Sequence, residues 1–255
     1  MISNNRYTCN LTQGTSAINE CLLLLSVYRE GLTRSSFFDY VIEGGYLSNV
    51  TVRRASNLVK EVFYSRFLKD NPQVPLWLQT IRNNGMLLGD FSQLLLIYCA
   101  RQHRVTYEFI LDHLNPLRKD GREKLNPNIV DEYVHGIVQS GKANWSDSIQ
   151  HKNASYIRST LTGFGLIKSN GTILSFLPAD SVILYLMHEL HFSGLSDVAI
   201  VNDTDWQLLG LDKEQVIQRI LDLNMKGGFI AQRCADLITI SWNYKTMEEF
   251  INAAL

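Results

Sequence analysis

A mainly α-helical bundle with two small β-hairpins is what the sequence predicts, and three observations predict it. Apolar residues recur at helical spacing along most of the 255 positions, and Gly-Gly or Pro-containing breaks separate those stretches. Only two places read as paired short strands: Leu166 to Phe176 around Asn170-Gly171, and Phe229 to Gln232 with Leu237 to Trp242.

In chain order, the first helix is expected from about Ser16 to Glu30, ended by Gly31. Thr33 or Ser35 caps a second helix reaching Glu43, which Gly44-Gly45 stops, and a third runs from about Thr51 to Lys69. Helix, glycine-containing turn, helix makes residues 1–70 a helix-turn-helix module. In its last helix Val52, Ala55, Val59, Val62 and Phe63 line one face, while Arg53, Arg54, Asn57 and Lys60 cluster opposite. Arginine donates bidentately to phosphate or guanine, asparagine pairs with the adenine edge, and lysine supplies a point charge. The plainer reading is a solvated basic face on a bundle helix, and Glu61 on the same side argues for it.

Asn71-Pro72 and Pro75 break the pattern and open a helical connector, residues 71–125. The charged run Arg118 to Pro127 reads as a hydrated loop and marks its boundary. Residues 126–178 then place a helix at Ile129 to Gln139, a turn at Ser140 to Asn144, and a helix at Ser146 to Phe164 that runs into the first hairpin. That cadence is a winged helix. Ile149, Gln150, Asn153, Ile157, Thr160, Leu161 and Phe164 form its inward stripe, and Ser148, His151, Lys152, Ser155, Arg158, Ser159 and Thr162 face outward without a carboxylate. Such a small, polar, weakly basic face suits the phosphates and base edges of a major groove. Ser146 is expected to cap this helix, and Asn170-Gly171 to form a type I′ turn. The same shape also serves protein interaction modules that never touch nucleic acid. Residues 179–255 form a C-terminal helical module with the second hairpin and a capping box at Thr246 to Glu249.

Bulk composition narrows the function classes. With 45% hydrophobic residues the chain buries a core, and its net charge is −1. Residues 1–168 carry 19 Lys and Arg against 14 Asp and Glu, a net +5, whereas 169–255 carry 5 against 11, a net −6. Polyanion contacts are therefore expected in the first two thirds. Cys9, Cys21, Cys99 and Cys234 form no CxxC pair, so neither a zinc site nor a disulfide framework is indicated, and reduced thiols in the cytoplasm are the expectation. The N-terminal residues lack a secretory apolar stretch, and the apolar runs at Cys21 to Val27 and Leu94 to Ala100 are too short to span a bilayer.

Nothing assembles a catalytic constellation. His188-Glu189-Leu190-His191 is HExH, with the histidines three apart where one helical face needs four to ligate zinc, so packed histidines are the better reading. Asp203-Thr204-Asp205 fits N-capping, and Gly163-Phe164-Gly165 lacks the strand and Lys-Ser/Thr of a phosphate loop. No metal, cofactor or small-molecule substrate is expected.

Three blocks of the chain resemble the BrxA family of BREX bacteriophage-exclusion systems: Tyr7-Thr8 with the Leu22-Leu23-Leu24 helix, Trp145 to Ser148 through Gly165-Leu166-Ile167, and Asp205 to Leu211 leading to Ile240 to Tyr244. The resemblance implies a non-enzymatic, largely helical protein that binds double-stranded DNA and works beside a methyltransferase and ATPases. Carried onto this chain, it implies a DNA-binding face of Ser148, Lys152, Ser155 and Arg158, with Lys168 in the wing. Arg53, Arg54, Asn57 and Lys60 make a second face. Against that stands the expectation of an adaptor that contacts other BREX proteins and does not itself bind DNA, or of an RNA-binding surface.

Overall fold

In the computed structural model the described residues are 7, 15–235 and 237–255; Cys9 and Thr8 lie outside them. The fold is mainly α, 62% helical, with one two-stranded antiparallel sheet among the described residues. Its chain divides into two compact units, one formed by Met1–Leu76 with Leu95–Ser175 and the other by Trp77–Leu94 with Phe176–Leu255. The expected connector contributes to both. Among the described residues no helix is long and apolar enough to cross a membrane.

The first unit opens with α1 (Ile18–Val27) and α2 (Arg34–Glu43), the latter held by a complete capping box between Thr33 and Ser36. After Gly45, at φ 65°, the chain starts α3 (Val52–Ser56), capped by Thr51. The helix continues without a break but rewinds as a π-helix over Asn57–Leu68, closed by a bond from the Lys69 amide to the Tyr64 carbonyl at 2.9 Å. An i→i+5 ladder turns less per residue than an α-helix. The rewinding sends Phe63 and Phe67 into an aromatic file. Ring centroids lie 5.3 Å apart for Tyr28 and Phe37, 5.0 Å for Phe37 and Phe63, 5.3 Å for Phe63 and Phe67, and 5.6 Å for Phe67 and Tyr98. Helices α4 (Val74–Asn83) and α5 (Leu88–Gln102) come next in the chain; residues 77–94 belong to the second unit, and the chain rejoins the first at Leu95. Next comes α6 (Arg104–Phe109), a π-turn at Ile110–Leu114 and α7 (Asn115–Lys119).

Helix α8 (Pro127–Gln139) begins with Asn126 accepting from the Asn128 amide and Pro127 in the first turn. A seven-residue connection leads to α9 (Asp147–Gly163). Ser146 occupies the N-cap position without a side-chain bond; Gln150 instead donates to the Trp145 carbonyl at 3.1 Å. After Gly165 the chain pairs Ile167 with Ile173. The loop between them departs from the type I′ expectation. No non-glycine residue here has positive φ, Gly171 sits at φ 83°, and its amide bonds the Lys168 carbonyl at 2.9 Å. That is a type I turn followed by a left-handed glycine, the three-residue hairpin loop. The difference arises from a third segment in the expected loop: the Leu125 amide donates to the Gly171 carbonyl at 2.9 Å, and Ile173 donates to that of Glu123 at 2.8 Å. A β-carbon at Gly171 would stand 2.9 Å from the Leu125 carbonyl oxygen. Gly171→Ala is therefore expected to cost about 2 kcal/mol, from left-handed strain plus displacement of that carbonyl. Urea unfolding checks it, with no measurable loss as the contrary result.

In the second unit α10 (Asp180–Phe192) lies at the centre of the packing, followed by α11 (Asp197–Val201) and a 3-10 turn at Thr204–Leu209. Asp203 caps that turn by accepting from the Asp205 amide at 2.8 Å. Helix α12 (Lys213–Asp222) has a reciprocal box between Asp212 and Gln215. Strands β1 (Phe229–Cys234) and β2 (Leu237–Trp242) pair in register Phe229 to Trp242 through Cys234 to Leu237. The last helix, α13 (Met247–Ala254), is capped by Thr246, and its Glu249 carboxylate reaches back to the Lys245 amide at 2.8 Å.

The HExH pair is packing. His188 is fully buried and stacks on Phe250 at 3.6 Å, its Nδ1–H donating to the Leu184 carbonyl at 2.8 Å, while His191 stacks on Trp242 at 4.0 Å. Burial pushes the His188 imidazole down to about pKa 4.

Candidate nucleic-acid interface

Both sequence-derived faces fall within the first unit. That unit holds 18 Lys and Arg against 13 Asp and Glu, a net +5; the second holds 6 against 12, a net −6. Charge thus segregates by structural unit as well as by position along the chain.

On α9 Asn153, Ile157, Thr160, Leu161 and Phe164 of the inward stripe are buried, together with Ala154, while Ile149 and Gln150 in its first turn are half-buried. Opposite them Ser148, His151, Lys152, Ser155 and Ser159 are exposed. Lys168, at the start of the hairpin loop, is exposed too, its amide donating to the Thr172 carbonyl at 2.8 Å. Arg158 stands apart from these. It is half-buried and donates from Nη1 to Asp131 of α8 at 3.4 Å. The two side chains retain 34% and 43% of their exposure, and a pair that open to water contributes under about 1 kcal/mol. Arg158 therefore exchanges Asp131 for another anion at little cost.

On the N-terminal face Arg53 is exposed, and Arg54, Asn57 and Lys60 are half-buried. Lys60 is drawn onto the ring of Phe38 in α2, its Nζ 4.2 Å from the centroid. Because the helix winds as a π-helix from Asn57 onward, Lys60 comes further round the axis from Arg53 than α-helical spacing places it. The structure keeps Arg53, Arg54 and Asn57 on one side and moves Lys60 toward α2. Glu61, the acid that argued for a plain solvated face, is engaged by Arg34.

Residues that the sequence reading missed are Asp131, Phe38 and Arg34. Each acts across a helix-helix contact, with Asp131 and Arg158 separated by 27 positions and Arg34 and Glu61 also by 27. No local spacing signals such partners. Among the described residues no group of three or more His, Cys, Asp or Glu is arranged to hold a metal ion.

A model of the BrxA family matches residues 5–189, more than half the chain. The chain belongs to the BrxA family. Membership assigns this BrxA protein a BREX-associated role in phage defence. No curated protein matches the sequence. Among solved structures the BrxA chain is similar to the crystal structure of an uncharacterized protein from Magnetospirillum magneticum. Identity is 16%, the TM-score is 0.61, and the likeness covers 83% of this chain and 100% of that one, which speaks to the fold alone.

Proposed function

We propose that this protein binds double-stranded DNA for its BREX system, mainly by phosphate contact and without catalysing a reaction. Two helix faces of the basic unit make the contacts. The observation that carries the reading is the outward face of α9: beyond its first turn it holds serines, His151, Lys152 and Arg158 with no acid, in the unit whose net charge is +5. Helix α8, the connection and α9 with its hairpin act as a winged helix, α9 entering the major groove while Lys168 on the loop reaches the flanking backbone. Arg53, Arg54 and Asn57 supply a second set of contacts, as α2, its glycine turn and the helix starting at Val52 form a helix-turn-helix. Serine hydroxyls at 148 and 155 position without adding charge. The protein works in the cytoplasm, beside other BREX proteins such as the methyltransferase or ATPases.

The test is competition. A labelled duplex DNA bound to the protein is displaced by unlabelled duplex DNA or by duplex RNA of the same sequence, followed by fluorescence anisotropy. DNA is expected to displace at concentrations at least fivefold lower, because α9 fits the wide B-form major groove and not the deep, narrow A-form one. Equal displacement by RNA overturns the groove-binding part of the account.

Asp131 gives a second prediction. Asp131→Asn releases Arg158 and removes a carboxylate from beside the proposed groove-facing helix, so affinity for duplex DNA is expected to rise two- to fivefold. Unchanged or weaker binding counts against Arg158 as a contact.

One observation favours an adaptor reading. The outer face of the hairpin, Ile230, Gln232 and Cys234 across from Ser241, Thr239 and Leu237, is exposed and uncharged, with Leu237 64% exposed. Phage exclusion retained by a mutant that has lost DNA binding decides for the adaptor.

A further inference from the structure

Between α8 and the segment formed by α6 with its π-turn lies a cleft of about 440 Å³ within the first unit. Its volume is that of a small-ligand site. Its walls are fixed. The Tyr133 hydroxyl donates to the Val105 carbonyl at 2.9 Å, and the Tyr133 ring lies 5.3 Å from Phe109 and 4.8 Å from His113. Tyr7 closes one side, its hydroxyl bonded to the Glu108 carboxylate.

Two properties set this cleft apart from an ordinary gap between helices. The first is its charge. Glu108, Asp112 and Glu132 line it against one lysine, Lys142. Glu108 is engaged by Arg104 at 2.7 Å, but no described residue forms a hydrogen bond or ion pair with Asp112 or Glu132. Burial keeps His113 neutral by lowering its pKa, and pushes the Tyr7 hydroxyl up to about 12, so neither adds charge near neutrality. The aromatic wall already accepts cations: the Arg104 guanidinium carbon lies 4.9 Å from the Tyr7 centroid and the Lys142 ammonium 5.7 Å.

The second is Gly136. It stands in the middle of α8, where glycine costs up to about 1 kcal/mol relative to alanine. Among the described residues a β-carbon there would meet nothing within 4 Å, so none of them requires the missing side chain. What the glycine leaves bare is the wall of the cleft.

We propose that this cleft binds an alkylammonium cation, its aliphatic stem laid along Gly136 and the Tyr133 ring and its charge held by Asp112 and Glu132. The ligand is a free polyamine or the lysine side chain of a protein partner. The arrangement repels phosphate, so the site is separate from the DNA-binding faces and does not rest on them. Its role is to join a cationic ligand to the basic unit without competing for nucleic acid.

Calorimetric titration of the full-length protein, free of DNA and at physiological salt, tests this with spermidine, with N-acetyl-lysine methylamide, and with magnesium as a charge control. One saturable site for spermidine or for the lysine derivative is expected, and the tighter of the two identifies the source. Gly136→Leu fills the cleft with a good helix former, and Glu132→Gln removes a charge; each is expected to weaken binding at least tenfold. Gly136→Ala is expected to raise Tm by about 2 to 4 °C, which shows that the position tolerates a side chain. Absence of saturable binding, equal uptake of magnesium, or affinity unchanged in Gly136→Leu and Glu132→Gln would each overturn the proposal.

Discussion

Reversing four charges, Arg53→Glu, Arg54→Glu, Lys152→Glu and Lys168→Glu, is expected to lower affinity for duplex DNA at least a hundredfold near 0.1 M salt. Each of these side chains reaches solvent on one of the two proposed faces. None forms a side-chain hydrogen bond or ion pair with a described residue, so the fold loses nothing with them, and surface changes of this kind stay within about 0.5 kcal/mol. Arg158 and Lys60 are left in place because Asp131 and the Phe38 ring hold them, and replacing them mixes packing with binding. Removing four phosphate contacts also flattens the salt dependence by about 0.9 per contact. Anisotropy with a labelled duplex measures both quantities, and a thermal melt confirms that the variant is folded. Should affinity stay within threefold of the parent, the two faces are not the binding surface. The hairpin of the second unit then becomes the place to look.

Acid is expected to weaken the protein strongly between pH 6.5 and 4. His103 in the first unit is buried, with Nδ1 against the Thr106 hydroxyl at 2.8 Å, and desolvation reinforced by the Arg66 charge takes it down to about pKa 4. His188 in the second unit is held down to about 4 by desolvation among the rings of Phe250, Trp242 and Phe229. A histidine whose folded pKa lies below its unfolded value of about 6.5 takes up a proton more readily when unfolded. Its contribution is therefore complete above about pH 6.5, is lost as pH falls from 6.5 to 4, and changes no further below that. Each group is worth on the order of 3 kcal/mol across that window. His188→Phe keeps the stack on Phe250 and has nothing to protonate. Its melting temperature should fall less than that of the parent between pH 7 and 4.5, although carboxylates add a common background. Parallel acid profiles for parent and variant would show that His188 is not held neutral.

Much of the helical framework was legible because its signals are local. Thr33 with Ser36 and Thr246 with Glu249 each place a donor and acceptor within three residues, so the sequence carries both halves of the bond, whereas α8 starts at Pro127, inside the run expected to be loop. The second hairpin was legible from its two β-rich runs; the turns between α12, which ends at Asp222, and β1, with Met225 at φ 66°, carried no such signal. What escaped depends on distant partners. The π-winding from Asn57 onward accompanies the seating of Phe63 and Phe67 among rings from other helices, and α-periodicity predicts Lys60 on a face that the winding vacates. The hairpin loop became a type I turn because the segment at Lys124 pairs with Thr172, 48 positions on. For the candidate interface, residue types and exposure on α9 could be read from the stripe. The Arg158 to Asp131 pair could not, since it needs the packing of α8 on α9.

The central claim is that the basic unit grips DNA through its phosphates. Binding of the unaltered protein to a duplex, measured over 50 to 200 mM salt, tests it most directly. With four to six contacts the account predicts log affinity falling linearly with log salt at a slope of about −3.5 to −5.5, from a dissociation constant of about 10⁻⁶ to 10⁻⁴ M at physiological salt. Affinity that does not change with salt, or no binding at the lowest salt, would contradict it.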